Sequence, residues 1–185
     1  MKKIALLLAM LICLTPVLSS CGAQSAPEKV VMKIVEATYE DFDDKTLCKL
    51  YYNLNSAMLT DVLGDEEYKN VETFVLSSQN STKKVMADYK EESKKCKKYD
   101  FRYDIRYCEI YNEKDDEFES IVAELASVSN ALSDVTDQVA KVRFVGEVFI
   151  TDEDGEDYIR ELDRTFCCYR INGKWYAEFL QPSNT

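Results

Sequence analysis

Residues 158–176 read Tyr-Ile-Arg-Glu-Leu-Asp-Arg-Thr-Phe-Cys-Cys-Tyr-Arg-Ile-Asn-Gly-Lys-Trp-Tyr, and the Asn172-Gly173 pair within them decides the fold. Asn and Gly both tolerate positive φ, which a two-residue hairpin turn requires if its twist is to match that of its strands. The pair therefore joins a strand from Tyr158 to Ile171 to a last strand from Lys174 to Leu180. Upstream, Val139 to Thr151 reads as another strand, connected through Asp152-Glu153-Asp154-Gly155-Glu156-Asp157. That acidic turn has the look of a calcium loop, but an EF-hand needs its glycine at the sixth position and a bidentate glutamate at the twelfth. Neither is present, so the segment reads as a solvated Asp-Gly hairpin turn.

Further upstream the period of two persists. Phe101, Tyr103, Ile105 and Tyr107 alternate with Arg102, Asp104 and Arg106, a half-buried strand. The apolar positions then move to Cys108 and Ile110, a slip that predicts a bulge or bend at Tyr107 or Cys108. Between this strand and Val139, Phe118, Ile121, Val122, Leu125 and Val128 recur at helical spacing, so a helix inserts over about 115–132. The first half of the chain is helical in pattern. Glu28 to Phe42 carries Val31, Ile34 and Val35 on one face after Pro27, which suits a helix start. A second helix is expected from Lys45 to Leu63, capped by Asp43 or Asp44 and ended by Gly64. A third is expected from Asp65 to Tyr99, broken near Ser77-Ser78-Gln79-Asn80-Ser81-Thr82, whose side chains compete for backbone hydrogen bonds. Its lysines, Lys83 to Lys98, interleave with Asp88, Glu91 and Glu92 as a solvated face, or alternatively as a dock for anionic lipid or wall polymer. Helices followed by a meander make the fold class α+β.

The N-terminus carries an address. Lys2 and Lys3, an apolar run from Ile4 to Leu14, and Leu18-Ser19-Ser20-Cys21 follow the order of a secretory signal with small residues before its cleavage point. A cysteine at the first mature position resembles bacterial lipoprotein precursors, which implies that residues 1–20 are removed and that Cys21 carries lipid. Residues 22–27 form a tether of at most ~20 Å, and residues 28–181 form one domain. The expected location is the outer face of a bacterial cell membrane of the Gram-positive type, held there through the lipid on Cys21.

Removing residues 1–20 takes two lysines and no acid, which moves the net charge from −11 to −13. Nucleic acid is a poor partner for such a surface. The chain contains 0 histidines, which closes every route that needs a histidine base or ligand. Of the cysteines, Cys48, Cys96, Cys108, Cys167 and Cys168 remain beyond the signal and the anchor. Their spacing makes no paired metal motif, and adjacent Cys167 and Cys168 should point to opposite faces of a strand. No metal or cofactor is expected.

Pro27-Glu28-Lys29-Val30-Val31 opening the first helix, Glu36-Ala37 before Asp43, and the Asn172-Gly173-Lys174-Trp175 hairpin have a familiar arrangement. Over residues 27–181 it resembles the nuclear transport factor 2-like cone, and in particular the small lipoproteins of Gram-positive bacteria. The resemblance implies N-terminal helices packed in a curved antiparallel sheet around a conical pocket, with the helix between the first and second strands as an addition. Catalytic members of that fold use aspartate with histidine, or tyrosine with a carboxylic acid. Only the second route is open here.

All six arginines, Arg102, Arg106, Arg143, Arg160, Arg164 and Arg170, fall in the strand half. Arg102 and Arg106 share one strand face, as do Arg160 and Arg164. They either pair across strands with Glu147, Glu161 and Asp163 on a solvated face, or present a patch for an anionic ligand or a protein partner. The expected function is a non-enzymatic extracytoplasmic module holding a small ligand or a neighbouring envelope protein. The alternatives are an enzyme with a tyrosine/carboxylate site and a purely structural surface protein.

Overall fold

The computed structural model describes residues 26–178; Cys21, the signal and most of the tether lie outside them. The chain is α+β. Helix α1 (Ala26–Tyr39) is followed by α2 (Asp44–Leu50), a 3-10 turn (Tyr52–Leu54) and the long α3 (Ser56–Lys95). Then come β1 (Lys98–Asn112), α4 (Asp116–Val128), α5 (Asn130–Asp134), β2 (Thr136–Thr151), β3 (Asp157–Ile171) and β4 (Lys174–Ala177). The strands form one antiparallel sheet in the order β1-β2-β3-β4.

The local signals explain most of these boundaries. Asp43 caps α2 by accepting from the amides of Lys45 and Thr46 at 3.0 and 3.3 Å. Asn172 and Gly173 both take positive φ, +48° and +74°, as the β3–β4 turn demands. Two helix expectations are corrected. The helix expected over 45–63 is cut at Tyr51, which leaves helical geometry to bridge Ala177 of β4; Asn55 then restarts the chain by capping the Met58 amide at 3.0 Å. The break expected near 77–82 is absent, and the non-helical point in α3 is Gly64 at φ +74°. The Thr82 hydroxyl donates back to the Ser78 carbonyl, and the Gln79 amide reaches the Leu54 carbonyl and Ser56. These side chains find partners without dissolving the helical ladder.

The β1 irregularity comes one residue earlier than the apolar slip suggests. The register shifts between Ile105 and Tyr107, so Arg106 is the extra residue and Tyr107 turns to solvent. Beyond it Cys108 and Ile110 lie opposite Val142 and Ala140.

The sheet separates two cores. Ala140, Val142, Phe144 and Cys168 pack with Val31, Ile34, Val35 and Leu47 of α1 and α2 on one face. Val139, Tyr169 and Ile171 pack with Phe118, Ile121, Leu125 and Leu132 of the inserted helices, together with Leu59 and Leu63, in the second cluster. Adjacent Cys167 and Cys168 accordingly contribute to different clusters. The inserted helices thus cover one end of the sheet face turned away from α1, and leave its other end, near 143–151, with exposed charged positions at Arg143 and Glu147. Gly146 is buried on the α1 side, where a Cβ would stand 3.0 Å from both the Arg102 carbonyl oxygen and the Phe144 ring. Trp175, opposite Arg170, is partly buried against the α1 core, not sealed within it.

Candidate functional site

The four arginines Arg102, Arg106, Arg160 and Arg164 do not share a surface. In the ladder Arg102 stands opposite Glu147, itself opposite Glu161, on the open face. Arg160 pairs with Val148 and Arg164 with Phe144, both of which are buried on the α1 face. Strand alternation turns the two pairs to opposite sides.

On the open face, Arg102 and Arg106 line a shallow groove of about 420 Å³ with Asp104, Glu147, Glu161 and Asp163. Both arginines are already held by acids of their own strand. Arg102 contacts Asp100 at 3.0 Å and lies 5.0 Å over the Phe149 ring; Arg106 contacts Asp104 at 3.2 Å. Arg143 grips Asp163 through two parallel bonds of 3.0 and 2.7 Å, and Arg170 grips Asp137 in the same way. These forks hold the Asp163 and Asp137 carboxyls below the usual carboxylate range. Glu147 and Glu161 face one another directly. Carboxylates therefore outnumber arginines along this groove, and its field disfavours an anionic ligand. Of the acids expected as cross-strand partners, Asp163 serves Arg143 and neither glutamate forms an ion pair among the described residues.

On the α1 face, Arg160 reaches Glu92 of α3 at 3.9 Å beside Tyr39, Tyr89, Ser93, Cys96 and Tyr99. Burial raises the Tyr99 hydroxyl to about 12 despite the nearby Arg160 charge. Burial likewise raises Tyr39, opposed by Arg164 and then Arg160. The free space between these side chains is about 10 Å³, room for one water at most. The Arg160–Glu92 pair links β3 to α3 at the rim of this face and, being half-exposed, contributes little to stability.

Tyrosine meets carboxylate at three places among the described residues: Tyr111 donates to exposed Glu109 two positions away on β1 at 2.6 Å, a spacing legible in the chain, whereas the other two pairs join segments that local spacing does not relate. The Tyr103 hydroxyl donates to Glu36 of α1 at 2.8 Å. The Tyr169 hydroxyl lies 3.4 Å from Glu178, with Tyr52 edge-on to the Tyr169 ring at 5.3 Å. Both hydroxyls are shifted upward, chiefly by burial, so they act as donors, not bases. Tyr169 is 0% exposed, and a substrate would have to open the core to touch it.

Glu178 carries a pH signature. Burial first and Glu124 second raise its carboxyl, with Tyr169 opposing. The folded state thus binds that proton more tightly than the unfolded chain. The associated stability is complete below the unfolded value of about 4.3 and declines as pH rises through the folded one. Glu178→Gln is expected to remove this decline, so that denaturation midpoints at about pH 4 and about pH 7 lie closer together than in the parent. An unchanged difference would show that Glu178 is fully solvated.

The turn at 152–157 closes on itself. One Asp152 carboxylate oxygen accepts from the amides of Asp154, Gly155 and Glu156 at 2.9, 2.8 and 2.9 Å, and these bonds hold its carboxyl low. The seven-lysine run is exposed, with Lys94 paired to Glu91 at 2.7 Å. Cys48, Cys96, Cys108, Cys167 and Cys168 are free thiols. Comparison with known proteins returns no match: no protein-family model fits the chain, no curated protein is similar to it, and no solved structure matches it.

Proposed function

We propose that this chain is a membrane-tethered extracytoplasmic lipoprotein whose α+β domain is a non-enzymatic binding or protein-interaction module of the nuclear transport factor 2-like kind. The observation that carries the reading is Leu18-Ser19-Ser20-Cys21 after a basic, then apolar, N-terminus. Two or more acyl groups on Cys21 would give stable anchoring. Among the described residues no helix is long and apolar enough to cross a membrane, and lipid is the attachment this reading invokes. Helices on one sheet face and a C-terminal meander support the cone; the second core under α4 and α5 is its departure from the resemblance. The non-enzymatic reading is supported by Arg102, Arg106, Arg143, Arg160 and Arg170 already being held by acids and by the burial of Tyr169 beside Glu178. The partner classes that remain are a small ligand or a neighbouring envelope protein.

Cys21→Ala is expected to abolish incorporation of a fatty-acid probe and to release the protein from the membrane fraction. Equal labelling of parent and variant would remove the lipoprotein reading. The mass of any metabolite retained by the natively purified protein would identify a small ligand.

A further inference from the structure

The first strand is an edge strand, and its charges alternate in sign along the open face. Among the described residues β1 pairs only with β2, and no backbone hydrogen bond covers the far edge of residues 98–106. On the open face this edge carries Asp100, Arg102, Asp104 and Arg106, alternating in sign and all exposed or nearly so, with side-chain exposures of 39, 70, 62 and 59%. On the α1 face Phe101, Tyr103 and Ile105 are only partly buried.

We propose that β1 pairs antiparallel with β1 of a second copy about a two-fold axis at Tyr103, joining the two sheets. Residues directly opposite in such a pair lie on the same face. Arg102 then meets Asp104 of the second copy, Asp100 meets Arg106, and Phe101 meets Ile105. Tyr103 meets its own counterpart. Because the interface is isologous, each contact between unlike residues occurs twice, and the in-strand pairs Asp100–Arg102 and Asp104–Arg106 become one ladder of alternating charge. Moving the axis to Arg102 or Asp104 sets Arg against Arg or Asp against Asp. Moving it to Phe101 sets Asp100 against Arg102 and Lys98 against Asp104, also complementary, but leaves Arg106 without a facing acid.

The other open edge argues that this complementarity is specific to β1. β4 covers only Cys168 to Ile171 of β3, so residues 157–166 present an edge of similar length. Any two-fold centred from Ile159 to Arg164 puts like charges opposite there: Glu161 on Asp157, Arg160 on Arg160 or Arg164, Glu161 on Glu161 or Asp163, Asp163 on Asp163, or Arg164 on Arg164. Edges that must stay single carry charge against pairing: β3 does so at every one of these centres, whereas β1, with its bulge at Arg106, still admits a complementary pairing about Tyr103.

The paired segment is short compared with standard interfaces, so association is concentration-dependent, in roughly the micromolar range. The test is the molar mass of the full-length chain in mild detergent over roughly 0.1–100 µM, with thermal unfolding to confirm that each variant is folded. The parent is expected to move from the protein mass of one processed chain toward twice that mass. Arg102→Asp and Asp104→Arg, each exposed, are expected to stay at the single-chain mass, because each inserts two like-charge contacts; either one alone suffices if the other fails to fold. The double variant Arg102→Asp/Asp104→Arg is expected to recover the dimer. A parent that stays monomeric, single variants that still dimerise, or a double variant that remains monomeric each overturn the proposal. The last outcome is the one a Phe101-centred axis would give, since the double variant would then set acid against acid at positions 100 and 102 and base against base at positions 98 and 104.

Discussion

Phe144→Ala is expected to destabilise the domain by about 3–5 kcal/mol, the usual loss for a buried phenylalanine. Phe144 is 0% exposed and stands between the Tyr103 and Phe166 rings, at centroid distances of 6.4 and 6.3 Å. Its ring also fills the space that the missing side chain of Gly146 leaves open. Tyr39, Phe101 and Tyr103 extend this contact to α1, with stacked rings at 5.0 and 5.4 Å. Truncation removes the ring on which the sheet and α1 meet, and a cavity remains because neighbouring strands cannot collapse into it. Domains of this size hold only about 5–15 kcal/mol in total, so the denaturation midpoint should fall by several degrees or more. A loss under about 1 kcal/mol would mean that Phe144 is not at the centre of this core.

Leu125→Ala is expected to cost about 2–5 kcal/mol through the other core. Leu125 is 0% exposed on α4 and belongs to the cluster of Val139, Tyr169 and Leu132 across the sheet from Phe144. The two losses should be additive to within about 0.5 kcal/mol, because the residues belong to separate clusters. If the inserted helices were a loosely held addition, Leu125→Ala would instead leave the global midpoint unchanged. Strong coupling in the double variant would merge the two clusters into one.

The groove and the niche differ in how far composition announces them. Six arginines in the strand half mark the sheet as the charged element, and an alternating Asp100-Phe101-Arg102-Tyr103-Asp104-Ile105-Arg106 run is visible in the chain. The partners that Arg102 and Arg106 take, Asp100 and Asp104, are two positions away on the same strand. That spacing is legible in the chain, whereas the expected partners Glu147 and Glu161 lie across strands and take neither arginine. The niche around Arg160 joins α1, α3, β1 and β3, and no local pattern relates those segments.

The sequence alone determined what short-range stereochemistry controls: the Asn172-Gly173 hairpin, a helix cap at Asp43 or Asp44, the strand alternation, the helix between β1 and β2, and the opposite orientation of Cys167 and Cys168. Each follows from φ preferences or from a repeat of two or 3.6 residues. Tertiary structure decided what depends on contacts between distant segments. Tyr51 abandons its helix because Ala177 offers a bridge, Ser78 and Thr82 stay helical because the ladder and a neighbouring carbonyl satisfy them, and Arg106 rather than Tyr107 becomes the bulge because β2 fixes the register. The side of the sheet on which each arginine pair lies is settled by the same pairing, since a strand's faces acquire an inside and an outside only when helices pack against one of them.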